Sequence, residues 1–278
     1  DGYNLAFRAF YALPDLTGPD GAPSGALYGW VQTLWRLQEA HRPTGILVFF
    51  DLGPSTRHLQ LLPDYKAHRK ATPEAFRAQI PWIKQATQQM GYSVLETAGV
   101  EADDALGAYA RLLAQGQRPH FIVSSDKDFA QCVGDYTRCL LPPLTGQGAS
   151  WRCLDATGVE EKFGVKPPQI PLFLALVGDV SDNIPGITGV GPKTAAQWLK
   201  GVQSWTDFWH RAPTLMPVRL RERLLQNQVL VERNLALTQL DPAVVADPAS
   251  ILPLKAPDPG LLDTLSRFGL HRLHQLAQ

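Results

Sequence analysis

The chain has 278 residues, 45% of them hydrophobic, which is enough apolar material for one large domain or two modest ones. Twenty-six basic and 26 acidic residues cancel, so the overall basicity of many nucleic-acid binders is missing, although an acidic cluster would offset basic patches elsewhere. Cys132, Cys139 and Cys153 lack zinc-site spacing and cannot all pair, which favours a reducing compartment, and neither a signal peptide nor a bilayer-length apolar run is present.

The chain opens on Asp1-Gly2-Tyr3-Asn4 without a methionine, the pattern of a fragment or trimmed chain. Residues 5–13 read as a helix, 17–24 as a Gly/Pro loop, and 25–40 as a second helix with Leu27, Trp30, Val31, Leu34 and Leu37 on one face. Residues 45–51 form a continuous apolar run ending in Asp51, the pattern of a buried parallel strand with a polar residue at its C-terminal end. Residues 53–74 carry Arg57, His58, Tyr65, Lys66, His68, Arg69 and Lys70, a basic stretch that suits either a solvated face or phosphate. Helix is expected over 75–90, strand over 92–96, helix after Glu101, and strand over 120–125. Beyond about residue 155 helical patterns with proline breaks dominate.

Acids recur where these elements end. Glu101, Asp103 and Asp104 lie within four residues at a helix start, where the helix dipole favours negative charge. Standing alone, they read as an acidic cap. They do not stand alone: Asp126 and Asp128 follow one strand, Asp51 ends another, and Asp1, Asp179 and Asp182 complete nine carboxylates. Acids at the C-terminal ends of several strands fit the site edge of a doubly wound sheet. Two like charges about 4 Å apart repel by about 4 kcal/mol at an effective dielectric of about 20, so a gathered set needs neutralising cations. Hard oxygen donors in this number point to Mg²⁺ or Mn²⁺.

Residues 186–194, Gly-Ile-Thr-Gly-Val-Gly-Pro-Lys-Thr, form a tight glycine turn leading into a helix, whose first amides can bind phosphate. A nucleotide-hydrolase phosphate loop is excluded, because Pro192 separates Gly191 from Lys193-Thr194 and a helix, not a strand, precedes the turn.

The ordered set Asp1-Gly-Tyr-Asn, the strand ending in Asp51, Tyr65-Lys66-x-x-Arg69, Glu101-Ala-Asp103-Asp104, Asp126-Lys-Asp128, Gly178-Asp179-x-Ser-Asp182-Asn-x-Pro-Gly186 and Gly189-x-Gly191-x-Lys193-Thr194-Ala resembles the 5′ nuclease family. The nearest likeness is to the 5′→3′ exonuclease domain that opens bacterial DNA polymerase I, and it covers nearly the whole chain. The resemblance implies an α/β fold with a mostly parallel central sheet flanked by helices, a PIN-like core. That core would span residues 1–157 with a helical arch over about 57–90, followed by a helical DNA-binding region at 158–278 with a helix–three-turn–helix at about 178–200. In the family a first strand sits mid-sheet before the opening Asp. Its absence here is expected to expose the sheet centre and misplace Asp1, and no polymerase domain follows.

The resemblance also implies roles. Glu101, Asp103, Asp104, Asp51 and Asp126 would surround one metal, Asp128, Asp179 and Asp182 a second, with Asp1 between. Lys66 and Arg69 on the arch would contact the scissile phosphate, with Tyr65 beside them. Gly186, Gly189, Gly191, Lys193 and Thr194 would grip duplex DNA by its backbone, with K⁺ on turn carbonyls. The implied protein is a monomeric bacterial cytoplasmic nuclease of the nucleoid, acting on DNA with a 5′ flap or 5′ end, or on the RNA primer strand of a hybrid. A DNA-binding relative with weak or lost catalysis is the alternative, but all nine acidic positions are acidic here. A ribonuclease of the related compact acidic-site fold is disfavoured by the glycine turn.

Overall fold

The computed structural model describes residues 1–143 and 150–276. Two helices, α1 (Gly2–Ala12) and α2 (Gly25–His41), lead into strand β1 (Leu47–Leu52). Helices α3 (Thr56–Leu61), α4 (Glu74–Arg77) and α5 (Ile80–Gln89) precede β2 (Ser93–Ala98), α6 (Ala102–Gln115) and β3 (His120–Val123). Strands β4 (Thr137–Leu141) and β5 (Arg152–Leu154) follow. The chain then becomes helical: α7 (Ala156–Phe163), α8 (Ile170–Val177), two-residue strands β6 (Gly178–Asp179) and β7 (Ile184–Pro185), α9 (Pro192–Leu199), α10 (Trp205–Arg211), α11 (Val218–Gln226), α12 (Gln228–Thr238) and α13 (Gly260–Arg267). No helix among the described residues is long and apolar enough to cross a membrane.

The α/β core is built on parallel pairing, β1 with β2 and β3 with β4, with β5 added antiparallel. The expected single sheet is therefore found in two pieces among the described residues. A cavity of about 720 Å³ separates them, lined by residues 45–49 on one side and 118–123 on the other, with Asp1 on its wall. Asp1 is tied to β3 and to α1: its backbone nitrogen donates to the Val123 carbonyl, and its carboxylate caps α1 through the Asn4 amide at 3.1 Å.

Alternation along β1 divides the core. Val48 and Phe50 pack with Trp30, Phe76 and Leu261 on one face, and Phe49 packs with α6 and Phe173 on the other. Helix α8 is apolar all round and almost entirely buried, so the residues at its end are held rigidly. Its cap, Gly178, has φ +83°, and Gly186 lies so close that a Cβ there would sit 2.1 Å from the Val177 carbonyl oxygen. Both glycines are needed for this close approach of two backbones.

One expectation fails locally. The 57–90 segment is not a continuous helical arch: α3 ends at Leu61, residues 62–73 run as turns, and Lys66 sits at φ +56°. Pro63 and Pro73, which cannot continue a helix, bracket the interruption.

Candidate metal and nucleic-acid site

Each acid reaches the site from a different element. Asp51, in the last turn of the β1 ladder, accepts the Ala102 amide at 2.7 Å and so sets the start of α6 against the strand end. This places Glu101 at the N-cap and Asp103 in the first turn. Asp126, just past β3, accepts the Asp128 amide at 2.9 Å and folds the Asp-Lys-Asp turn back on itself. Asp1 accepts the Ser124 hydroxyl at 2.7 Å. Asp179 and Asp182 flank a short turn fixed by the Ser181 amide and hydroxyl on Asp179 Oδ1.

Ligand-type oxygens of Asp128, Asp179 and Asp182 lie within 4.8 Å of one another, with Asp179 and Asp182 buried. Burial raises the Asp128 carboxyl well above the ordinary range, and Asp126 beside it pushes the same way. Its Oδ1 is buried without a hydrogen-bond partner. A desolvated carboxylate oxygen with no donor, facing two further carboxylates, is what a hard cation would satisfy. Asp103 behaves alike: burial first, then Asp126, drives its carboxyl up. Asp51 is also raised by burial. Asp179 runs opposite. Burial alone would raise it, but donors from Lys127 and Ser181 hold it below the usual carboxylate range.

The basic stretch folds onto these acids. Lys66 Nζ lies 2.8 Å from Glu101 Oε1 and 3.9 Å from Asp182 Oδ2, and its amide donates to the Asp182 carbonyl. Arg69 pairs with Asp182 Oδ1. The Tyr65 hydroxyl lies 3.1 Å from Glu101 Oε2 and 3.0 Å from Asp182 Oδ2, so one proton is shared between two carboxylates, and burial with those charges drives its ionisation far up. His58 stacks on the Tyr65 ring at 4.7 Å. Lys127 Nζ reaches Asp179 Oδ2 at 2.7 Å. Sequence reading passed over Lys127, although its place between two acids at adjacent positions was the available signal.

Asp104 is turned elsewhere. Its Oδ1 accepts the Asp241 amide at 2.7 Å, and the side chain is buried toward the segment after α12. Successive residues on a helix point about 100° apart, so Asp103 and Asp104 meet different neighbours. Through Oδ1, Asp104 ties the start of α6 to the segment after α12.

The glycine turn has three distinct environments. Gly189, at φ +86°, needs glycine for its conformation. Gly191 has ordinary backbone and nothing within 4 Å of a built Cβ, leaving the start of α9 open. Lys193 is exposed and Thr194 half-buried in that first turn. The turn carbonyl of Thr188 accepts Arg223 from α11 at 2.9 Å, which ties the turn to that helix.

A parallel-sheet core presenting carboxylates at its strand ends, joined to a helical half with a glycine turn, defines an α/β protein with an acidic cluster that could hold a metal ion. Comparison with known families makes this specific. Residues 1–164 match the 5′-3′ exonuclease N-terminal resolvase-like domain, and 165–259 the 5′-3′ exonuclease C-terminal SAM fold. The 5′-3′ exonuclease of Aquifex aeolicus is 36% identical over 84% of this chain and 79% of its own length. DNA polymerase I of Pseudomonas aeruginosa is 42% identical over 87% of this chain, which spans only 27% of that longer protein. The chain belongs to the 5′-3′ exonuclease family, nucleases that hydrolyse DNA phosphodiester bonds. Among solved structures, the zinc-bound T5 5′-exonuclease aligns over 100% of this chain and 95% of its own, with TM-score 0.72 and 22% identity. Flap endonuclease-1 from Methanococcus jannaschii aligns over 100% and 89%, with TM-score 0.61 and 16% identity. At these identities the two structures speak for the fold.

Proposed function

We propose that the chain is a divalent-metal-dependent 5′→3′ exonuclease and structure-specific 5′ flap endonuclease, cutting DNA at a 5′ end or flap, and the RNA strand of a hybrid, during replication and repair. The observation that carries this reading is the Asp128–Asp179–Asp182 cluster with its unpartnered buried oxygen, set beneath a turn of cations. Those three acids would hold one Mg²⁺ or Mn²⁺, and Asp51, Glu101, Asp103 and Asp126 a second, with Asp1 bordering both. When bound, such ions supply the acidity that activates a water and the charge that stabilises the leaving oxygen of an in-line displacement.

The protein's own side chains do the rest. Lys66 and Arg69 bring positive charge over the acids, where a scissile phosphate would develop negative charge. Tyr65 bridges two carboxylates with its hydroxyl and packs its ring on His58. The open amides at Gly191 and the exposed Lys193 take a duplex phosphate, reading shape rather than sequence. Arg223, donating to Thr188, braces that turn, whose remaining carbonyls would hold K⁺. In this reading a catalytic core over 1–157 and a DNA-binding half over 158–278 act together as a monomer in the bacterial cytoplasm, at the nucleoid.

The test is a labelled 5′ flap incubated with the chain, with Mg²⁺, with Mn²⁺ and with chelator, and the cut mapped. Metal-dependent cleavage near the flap junction, abolished in Asp128→Asn while flap binding survives, is the expected result. Binding without metal-dependent cutting would instead mark a DNA-binding relative that has lost catalysis.

A further inference from the structure

The nine acids account for the cluster but not for how Asp128 is held in it. Its turn is short, and among the described residues no strand pairs with it. Asp126 restrains it from within by accepting the Asp128 amide, and Gln131, three residues on, fastens it to a distant segment. Gln131 Nε2 donates to the Asp128 carbonyl at 2.8 Å and to the Thr238 carbonyl at 3.0 Å, and its Oε1 accepts the Leu240 amide at 3.0 Å. One carboxamide thus engages both its N–H donors and its acceptor oxygen.

The partner segment is itself pinned from several sides. The next amide, Asp241, donates to Asp104 at 2.7 Å, and the Asp241 carbonyl accepts Arg111 at 2.9 Å. Arg57 lies 3.5 Å from Asp241 Oδ2. Leu240 rests on Gly107, where a Cβ would come within 2.8 Å of its side chain. At its other end this segment grows out of α12, whose Thr238 hydroxyl donates to the Pro171 carbonyl and whose fully buried Asn234 donates to the carbonyls of Ala175 and Pro185. Residues 238–241 therefore form a strap that joins α6 and α8 to the turn that carries Asp128.

We propose that Gln131 is a positioning residue of the nuclease site, fastening the Asp128 turn to the 238–241 strap and so setting the Asp128 carboxylate against Asp179 and Asp182. This rests on the metal-dependent nuclease reading above. Gln131 touches neither substrate nor metal in this role. Its effect is on where Asp128 sits, so it acts on metal affinity and on the chemical step, not on the grip of DNA.

The test compares wild type with Gln131→Met, which keeps the size and removes all three bonds, and with Gln131→Glu. The glutamate keeps the acceptor for Leu240 but sets an anion against two carbonyls. Three quantities are read: flap affinity with Ca²⁺ in place of Mg²⁺, single-turnover rate at saturating DNA, and Mn²⁺ binding without DNA, from the electron-spin-resonance signal of the free ion. Expected are flap affinities within about 3-fold of wild type, rates down about 10-fold or more, and weaker Mn²⁺ binding, with the glutamate variant losing more than the methionine variant. The inference is overturned if whichever variant folds cuts at the wild-type rate with wild-type Mn²⁺ binding, or if the loss lies wholly in flap affinity. If wild type itself neither binds Mn²⁺ nor cuts, the nuclease reading fails, and this inference fails with it.

Discussion

Replacing Lys66 by Met should make the protein bind metal more tightly and cut more slowly. Lys66 Nζ sits 2.8 Å from Glu101 Oε1 and 3.9 Å from Asp182 Oδ2. At an effective dielectric of about 20 these separations correspond to about 6 and about 4 kcal/mol of Coulomb attraction before desolvation. Only 21% of the lysine side chain and 12% of each carboxylate are exposed, so solvent screens the pair incompletely and the desolvation cost cancels most of the gain. A net surplus of about 1–2 kcal/mol remains by that reasoning. A divalent ion that takes the same oxygens must overcome this surplus, so its removal should tighten metal binding by about 10-fold, the equivalent of about 1.4 kcal/mol. Burial alone would lower the ammonium, but Glu101 and Asp182 raise it, so it stays charged throughout the working range. With the cation gone, a phosphate approaching the acids loses a stabilising charge, and the single-turnover rate at saturating DNA should fall by about 10²-fold. Mn²⁺ binding by electron spin resonance and rapid-quench cleavage of a flap are the two assays. Weaker metal binding in Lys66→Met, or a change confined to DNA affinity, would refute the reasoning and return Lys66 to a solvated face.

Lys193→Ala should weaken flap binding equally for all sequences and reduce the slope of log affinity against log salt by about 1, with the saturated rate unchanged; fluorescence anisotropy across a salt series measures it. Gly186→Ala should lower stability by about 3 kcal/mol or more, because its Cβ would overlap the Val177 carbonyl, whereas Gly191→Ala, with open space and φ −95°, should cost under about 0.5 kcal/mol yet still weaken duplex binding; thermal melts separate the two. In chelator, stability should fall as pH rises above the ordinary carboxylate range. Asp103 and Asp128 hold their protons more tightly folded than unfolded, so the native state binds more protons in that window, while the depressed Asp179 opposes this only at lower pH. A melting temperature that climbs over this range in chelator would contradict the assignment, and Mg²⁺ should offset the loss.

Much of this protein was legible along the chain, because burial follows periodicity. The apolar run before Asp51 had to be a buried strand, and the helix after Glu101 had to start on its acids, and both elements stand where expected. The glycine turn likewise declared itself. What the chain could not express is which groups face each other across long separations. Lys127 reaches Asp179 over 52 positions, and Gln131 reaches Leu240 over 109. Neither pairing leaves a local period, since each depends on how α8 and α12 pack against the turn after β3. Asp103 and Asp104 looked equivalent in sequence, yet the helix turns them apart, and only the position of Asp241 decides what Asp104 meets. The basic stretch at 53–74 showed no helical period, and only the fold holds Lys66 at φ +56° with its amide on the Asp182 carbonyl, a contact that no local propensity encodes. Residue types determined that these carboxylates needed cations. Tertiary packing alone decided that Lys66, Arg69 and Lys127 would be the cations of the chain that meet them, because charge neutralisation acts through space and not along sequence.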